Sequence, residues 1–396
     1  MLYWLRERLI SGAGWGWLDG PPFSLFEQIE FRAALGAIVS FLIVVLLGRR
    51  VIETLRRLKI GDTGLTDAAA LQSHAQSKKN VPTMGGVLIC GATLLSFGAI
   101  ADITQDLVKI GLVVLLWLSF LGGVDDFLKL TAARRDGGRQ GLYAWEKLVF
   151  QLGLGLLVGW FGYDAVASLT PPPAEGAGVI GHVVNLPFQR TYTPGGGGIE
   201  PGLLFLPRWA YVLVAVLFLT GMSNAVNITD GMDGLAGGVA ASVLFGLLLL
   251  ALIANNAEYA RDLLVPHVPT AGELAVLSGS LAGACLGFLW WNSNPAQVFM
   301  GDTGSLAIGG VIAFVAIAIR QEVVTLLMCG VFLLEIASVV LQVGSYKLRG
   351  GRRVFRCAPY HHHLQMGGWP ENRIVSRFWI VTVLLTILAV VSVKVR

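Results

Sequence analysis

Ten long apolar stretches constrain this chain more than any other feature. Their approximate cores are 31–48, 82–101, 107–124, 148–168, 208–226, 234–254, 273–291, 305–320, 323–345 and 375–393. A helix crosses the roughly 30 Å hydrocarbon layer of a bilayer with about 20 apolar residues, and each of these stretches is a candidate. Composition agrees, because 14% of the residues are charged and 55% hydrophobic, whereas soluble domains carry about a quarter charged residues. The expected fold is an all-α polytopic membrane protein of about ten transmembrane helices, with residues 1–396 forming a single integral membrane domain. A large soluble core is excluded. No tandem repeat or separate soluble domain is apparent. The N-terminus shows no basic segment followed by a cleavable apolar stretch, so no signal peptide is expected. The eighth stretch is short and rich in glycine and alanine, which suits close packing between helices.

Orientation follows from lysine and arginine. The segment after the first stretch holds Arg49, Arg50, Arg56, Arg57, Lys59, Lys78 and Lys79. The one after the third holds Lys129, Arg134, Arg135, Arg139 and Lys147, and the one after the ninth holds Lys347, Arg349, Arg352, Arg353, Arg356, Arg373 and Arg377. These are nineteen of the 29 basic residues. The positive-inside rule places the odd-numbered loops in the cytoplasm and both termini outside. The outer loop at 169–207 contains PPPAEGAG and TPGGGGIEPG around HVVNLPF, a pattern compatible with a small periplasmic hairpin.

The polar motifs obey the same division. KKNVPTMGG, GGVDDFLK, NAVNITDGMDGLAGG, WWNSNPAQVFMGDTGSL and APYHHHLQMGGW all fall in odd-numbered loops. They can therefore gather into one composite site at the boundary of membrane and cytosol. Asp125 and Asp126 end an apolar helix with Lys129 one turn later. A carboxylate so near the bilayer has a function or a partner. The pair either binds Mg²⁺ or acts as a base on a phosphate, or it simply anchors the helix end through Lys129. Asn227, Asp230 and Asp233 recur every third residue, either as caps or as oxygen ligands for a cation or ribose. Asp302 sits on a glycine loop, either capping the next helix or offering a carboxylate to Mg²⁺. PTMGG opens a helix behind Lys78 and Lys79, and helix starts and lysines both favour phosphate. His361, His362 and His363 are half of the chain's six histidines, and no helix or strand can turn all three the same way. They are a solvated loop or an imidazole site for phosphate, metal or proton transfer. The four cysteines, Cys90, Cys285, Cys329 and Cys357, show no paired spacing, so neither disulfides nor a thiolate metal site is suggested. Carboxylates for a divalent cation, basic residues for phosphates and nearby histidines suit phosphoryl transfer between a membrane phospholipid and a soluble phosphorylated partner.

VPTMGG, VDDFLK, NITDGMDGLAGG, NPAQVFMGDTGSL and APYHHHLQMGGWPENRIVSRFWI, in this order and in these loops, resemble the polyprenyl-phosphate N-acetylhexosamine-1-phosphate transferase superfamily from Arg49 to Trp379. The histidine run resembles its phospho-N-acetylmuramoyl-pentapeptide branch rather than the branch that transfers N-acetylglucosamine-1-phosphate, which stands as the alternative. The resemblance implies transfer from UDP-MurNAc-pentapeptide to undecaprenyl phosphate, giving lipid I and UMP, the first membrane step of peptidoglycan synthesis. It also implies Mg²⁺, a bacterial cytoplasmic membrane with the active site on its cytoplasmic face, and a homodimer. No nucleic-acid partner is expected. Carried over motif by motif, Asp302 is the principal Mg²⁺ ligand. Asp125 and Asp126 are the acid pair, with Asp125 the base on the lipid phosphate and Lys129 beside it. His361 and His362 are catalytic near the phosphates. Lys78, Asn227, Asp230, Asp233, Asn292, Phe299 and His363 bind substrate. The chain departs from the family pattern at Leu364 and Gln365, where Phe-Glu is usual, and at Cys357, where Met is usual. A proton- or metal-coupled transporter would spread polar groups toward the midplane and both faces and show an inverted repeat, and neither is visible.

Overall fold

The computed structural model describes residues 23–58, 81–132, 141–170, 178–186, 188–193 and 198–394. Lys78 and Lys79 lie outside these residues. The described chain contains α1 (Ile29–Arg57), α2 (Gly86–Ile100), α3 (Asp106–Ala132), α4 (Ala144–Leu169), α5 (Arg208–Thr229), α6 (Leu235–Asn255) and α7 (Ala257–Asp262). It continues with α8 (Ala271–Asn292), α9 (Asp302–Ala318), α10 (Glu322–Met328), α11 (Gly330–Leu348), α12 (Tyr360–Gln365) and α13 (Glu371–Lys394). Each of the ten apolar stretches is helical. Among the described residues eight helices are long and apolar enough to cross a membrane, and α2 and α9 are shorter apolar helices. The ninth stretch is broken at Cys329 into α10 and α11.

The packing follows from side-chain size. Without a hydrophobic drive between helices in lipid, close backbone approach supplies the attraction, and small residues permit it. Every residue of α9, DTGSLAIGGVIAFVAIA, is buried, so this helix meets no lipid. It packs against α3, α5 and α2. On α8, glycines 279, 283 and 287 recur every fourth residue. A methyl group on any of them would strike the backbone carbonyl of Ala33, Ala37 or Phe41 on α1. Ser40 Oγ seals that contact by donating to the Ser280 carbonyl at 2.5 Å. The short, glycine-rich eighth stretch thus takes the innermost position. The outer helices turn leucine, valine and phenylalanine outward, among them Leu46, Phe120, Leu217 and Val340, as a lipid-facing surface requires.

The 169–207 loop forms less sheet than its sequence suggests. Among the described residues it has no strand, only isolated antiparallel bridges at Val183 with Phe205 and Tyr192 with Ile199. Polar side chains from the helix ends tie it down instead. Arg320, almost fully buried, donates from Nε to the Val183 carbonyl at 2.9 Å and pairs with Glu322 at 2.7 Å. The acidic motifs gather at the opposite ends of the helices.

Candidate active site

The site is built where α9 begins. A side chain at Gly122 on α3 would collide with the backbone of Asp302 and Thr303, and one at Gly86 on α2 with Gly304. These two glycines let the start of α9 press against both helices. Its first N–H groups have no partner within the helix. Asp126 supplies one from across the fold. Its Oδ1 accepts the Asp302 N–H at 3.1 Å, and its Oδ2 accepts the Thr303 N–H at 3.0 Å and the Thr303 hydroxyl at 2.7 Å. Asp126 therefore caps α9, and Asp302 does not. The residue in the N-cap position is Gly301, at a φ of 74° that favours glycine.

Relieved of capping, the Asp302 carboxylate turns into a charged cluster. Its Oδ1 accepts from Asn227 Nδ2 at 2.9 Å, and its Oδ2 lies 2.5 Å from Lys147 Nζ and 3.3 Å from Lys129 Nζ. Asp125 faces the same two ammonium groups, with Oδ2 at 2.6 Å from Lys129 and 2.8 Å from Lys147. Its Oδ1 accepts the Leu142 N–H at 2.7 Å. Ligand atoms of Asp125, Asp126 and Asp302 lie within 4.8 Å of one another. Hard carboxylate oxygens in this number suit Mg²⁺. One positive centre, Lys147 Nζ, already bridges Asp125 and Asp302, so these two carboxylates are close enough to share a cation. The oxygens of Asp126 are spent on α9.

The turn after α5 closes one side. Asn227 Nδ2 also donates to Ser305 Oγ at 2.8 Å. Asp230 is half-buried just past the helix end. Burial, and then the carboxylates of Asp302 and Asp126, push its carboxyl up to about 7. A carboxyl whose pKa rises on folding binds protons more tightly when folded. Stability therefore falls as pH climbs from the ordinary carboxylate range to about 7, and above that the loss is complete. Asp230→Asn should raise the Tm of metal-free protein at about pH 8 and flatten the decline between about pH 5 and pH 8. Thermal scans in detergent measure both, and a parent-like slope in the variant would refute the assignment.

Asp233 and Asn292 serve the neighbouring loop. Asp233 Oδ2 accepts from Asn294 Nδ2 at 3.2 Å and the Ala296 N–H at 3.1 Å, and its own N–H donates to Glu371 Oε1 at 2.8 Å. Asn292 accepts the Gly234 N–H at 2.9 Å and donates to the Val298 carbonyl at 2.8 Å. Phe299 is stitched by its backbone to PTMGG, donating to the Pro82 carbonyl and accepting the Gly85 N–H, both at 2.8 Å. Gly86 N–H donates to the Met300 carbonyl at 2.8 Å. The start of α2 thus gives these two N–H groups to protein carbonyls, which removes them as phosphate donors.

The histidines separate on α12. His361 points inward and is fully buried, with Nδ1 at 3.0 Å from Glu335 Oε2. His362 packs beside it at 4.2 Å between ring centroids, with Nδ1 at 3.0 Å from Gln365 Oε1. The amide that replaces the usual acid thus still offers this imidazole an oxygen. His363 faces elsewhere, stacked on Tyr360 and accepting the Arg356 N–H at Nδ1. Asp125, Asp126, Asp302, Lys129 and Asn227 therefore meet directly, and His361 reaches their edge at Gly231. Asp233, Asn292, Phe299 and His363 make contacts one loop away.

Sequence reasoning missed Lys147 and Glu335 as site residues. Lys147 counted only toward orientation, although a lysine one turn into an apolar helix signals a buried partner. Glu335 stands alone in VFLLEIASVV, and an acid within such a run is itself a functional signal.

Residues 108–320 match the model of glycosyl transferase family 4. The chain is 39% identical over 376 residues to the phospho-N-acetylmuramoyl-pentapeptide-transferase of Desulfotalea psychrophila, covering 94% of this chain and 96% of that one. It is 37% identical to the protein of the same name from Flavobacterium johnsoniae over 429 aligned positions, covering all of both. The chain belongs to the phospho-N-acetylmuramoyl-pentapeptide-transferase family. Membership accounts for the order of the five motifs. The family match from 108 to 320 takes in both halves of the acidic cluster, α3 with Asp125 and the start of α9 with Asp302. The α12 histidines and Glu335 lie beyond that match and within the full-length likeness to both transferases.

Proposed function

We propose that the protein transfers phospho-MurNAc-pentapeptide from UDP-MurNAc-pentapeptide to undecaprenyl phosphate, leaving lipid I in the membrane and releasing UMP. One observation carries the reading: two lysines and two carboxylates converge at the end of lipid-facing helices, where a membrane-held phosphate can meet a soluble diphosphate. An oxygen of the lipid phosphate attacks the phosphorus that bears the sugar. The bond from that phosphorus to the bridging oxygen breaks, and UMP departs with the bridging oxygen. Asp125 takes the proton of the lipid phosphate. Lys129 and Lys147 hold the negative oxygens of the reacting groups, and Asn227 orients Asp302. Asp302, with Asp125 beside it, would hold Mg²⁺, which when bound neutralises diphosphate charge. Preorganised positive charge of this kind is the main catalytic resource for phosphoryl transfer. Asp230, Asp233, Asn292, Phe299 and His362 line or shape the donor side, and His361 faces it from α12; Lys78 and His363 are assigned to substrate binding by the motifs that carry them. The protein works in the bacterial cytoplasmic membrane as a homodimer, with the site on the cytoplasmic face and both termini outside.

Membrane vesicles test reaction and orientation together. Inverted vesicles supplied with Mg²⁺, UDP-MurNAc-pentapeptide and undecaprenyl phosphate should release UMP, and omission of any one should stop release. Right-side-out vesicles should release none, because the donor cannot cross. Equal release from both, or equal use of UDP-N-acetylglucosamine, would overturn the reading.

A further inference from the structure

The mechanism above does not use Glu335, one of several buried acids. Glu335 lies within α11, fully buried, with no lysine or arginine paired to it among the described residues. Its carboxylate instead receives two groups of a single residue. The His361 backbone N–H reaches Oε1 at 3.2 Å, and His361 Nδ1 lies 3.0 Å from Oε2. A carboxylate only accepts hydrogen bonds, so Nδ1 must carry the proton. The other ring nitrogen, Nε2, is buried and has no hydrogen-bond partner among the described residues. It points at the turn after α5, where a methyl group on Gly231 would lie 2.5 Å from it. That turn carries Asp230 on one side and Asp233 on the other. Buried polar atoms in native proteins are nearly always paired, and an unpaired one facing a substrate turn is an atom held for a ligand.

The geometry points to Glu335 as the positioning residue of His361: it fixes the imidazole with hydrogen on Nδ1 and presents Nε2 to the Asn227–Asp233 turn, where the phosphates of the donor sugar nucleotide are handled. This rests on the reading of the cluster as the donor site. A merely structural role, pinning α12 to α11, would need the same contacts but would be indifferent to which ring nitrogen carries hydrogen.

Glu335→Gln separates the two roles. Glutamine has the same shape, and its oxygen can still accept the His361 N–H. Its amide then donates to Nδ1, which moves the ring hydrogen to Nε2 and reverses the face shown to the substrate. The variant should melt close to the parent yet lose about tenfold or more in kcat for UMP release, with the undecaprenyl phosphate KM unchanged. His361→Ala should lose at least as much, and Glu335→Gln/His361→Ala should be no worse than His361→Ala alone, because both changes act through one ring. Glu335→Asp keeps a carboxylate and should be more active than Glu335→Gln per folded molecule, which keeps the test decisive if the glutamine variant folds poorly. Parent-like activity in Glu335→Gln beside an impaired His361→Ala would overturn the positioning role and leave the site reading standing. Multiplied losses in the double variant, or an aspartate variant worse than glutamine, would overturn it as well. Full activity in His361→Ala would overturn the donor-site reading of this histidine itself.

Discussion

Asp302→Asn should lose activity on the order of a hundredfold or more while its Tm stays near that of the parent. The asymmetry comes from the division of labour at the start of α9. Asparagine keeps an oxygen for Asn227 Nδ2, and α9 keeps its cap because Asp126 provides it. What is lost is the negative charge beside Lys147 and Lys129. Without it the lysines are drawn to Asp125 alone, and the oxygen pair suited to a divalent cation is gone. UMP release titrated with Mg²⁺ and a thermal scan of the same preparation check both halves. Near-normal turnover with unchanged Mg²⁺ dependence would remove Asp302 from the chemistry.

Asp126→Ala should do the opposite first, lowering stability and then activity as a consequence. The change strips acceptors from two buried N–H groups and a buried hydroxyl. Leaving such donors unpaired costs about 1–3 kcal/mol each, with partial relief if water enters. The start of α9 would then loosen from Gly122, and Asp302 with it. A shift of an ångström at the reacting groups can remove about a hundredfold in rate. Thermal unfolding in detergent should show a fall of several degrees, and the activity that survives should keep the parental Mg²⁺ dependence. An alanine variant that melts like the parent would show that α9 finds its cap elsewhere.

Much of this was legible from residues alone. The ten helices follow from runs of apolar residues that each carry their own signal. The convergence of Asp125, Asp302 and Asn227 follows from the one-sided placement of their loops. The role of Asp126 was not legible, because the donors it satisfies lie 176 and 177 positions later and a carboxylate reads the same whether it meets a cation or a helix end. The PTMGG segment misled for a related reason. A helix start has free N–H groups in principle, but Gly85 and Gly86 spend theirs on Phe299 and Met300, which only the fold brings near. Lys147 and Glu335 lie in apolar helices outside the five polar motifs that mark the site. The 169–207 loop carries turn residues in the right places for a hairpin, yet the buried Arg320 holds Val183 and only isolated bridges form among its described residues.

The position of the acid pair along α3 sets how far the two substrates must travel. Asp125 lies seven residues before the end of that helix at Ala132, which is about 10 Å at 1.5 Å per residue. On the proposed function, the reacting groups therefore meet about 10 Å short of the end of α3 rather than at it. A lipid phosphate drawn out to that end would drag apolar carbons toward water at about 0.8 kcal/mol for each CH₂ group. A soluble nucleotide moving inward exposes no such carbons. That offset assigns the journey to the partner that already lives in water, and the lipid reacts at the depth where it floats.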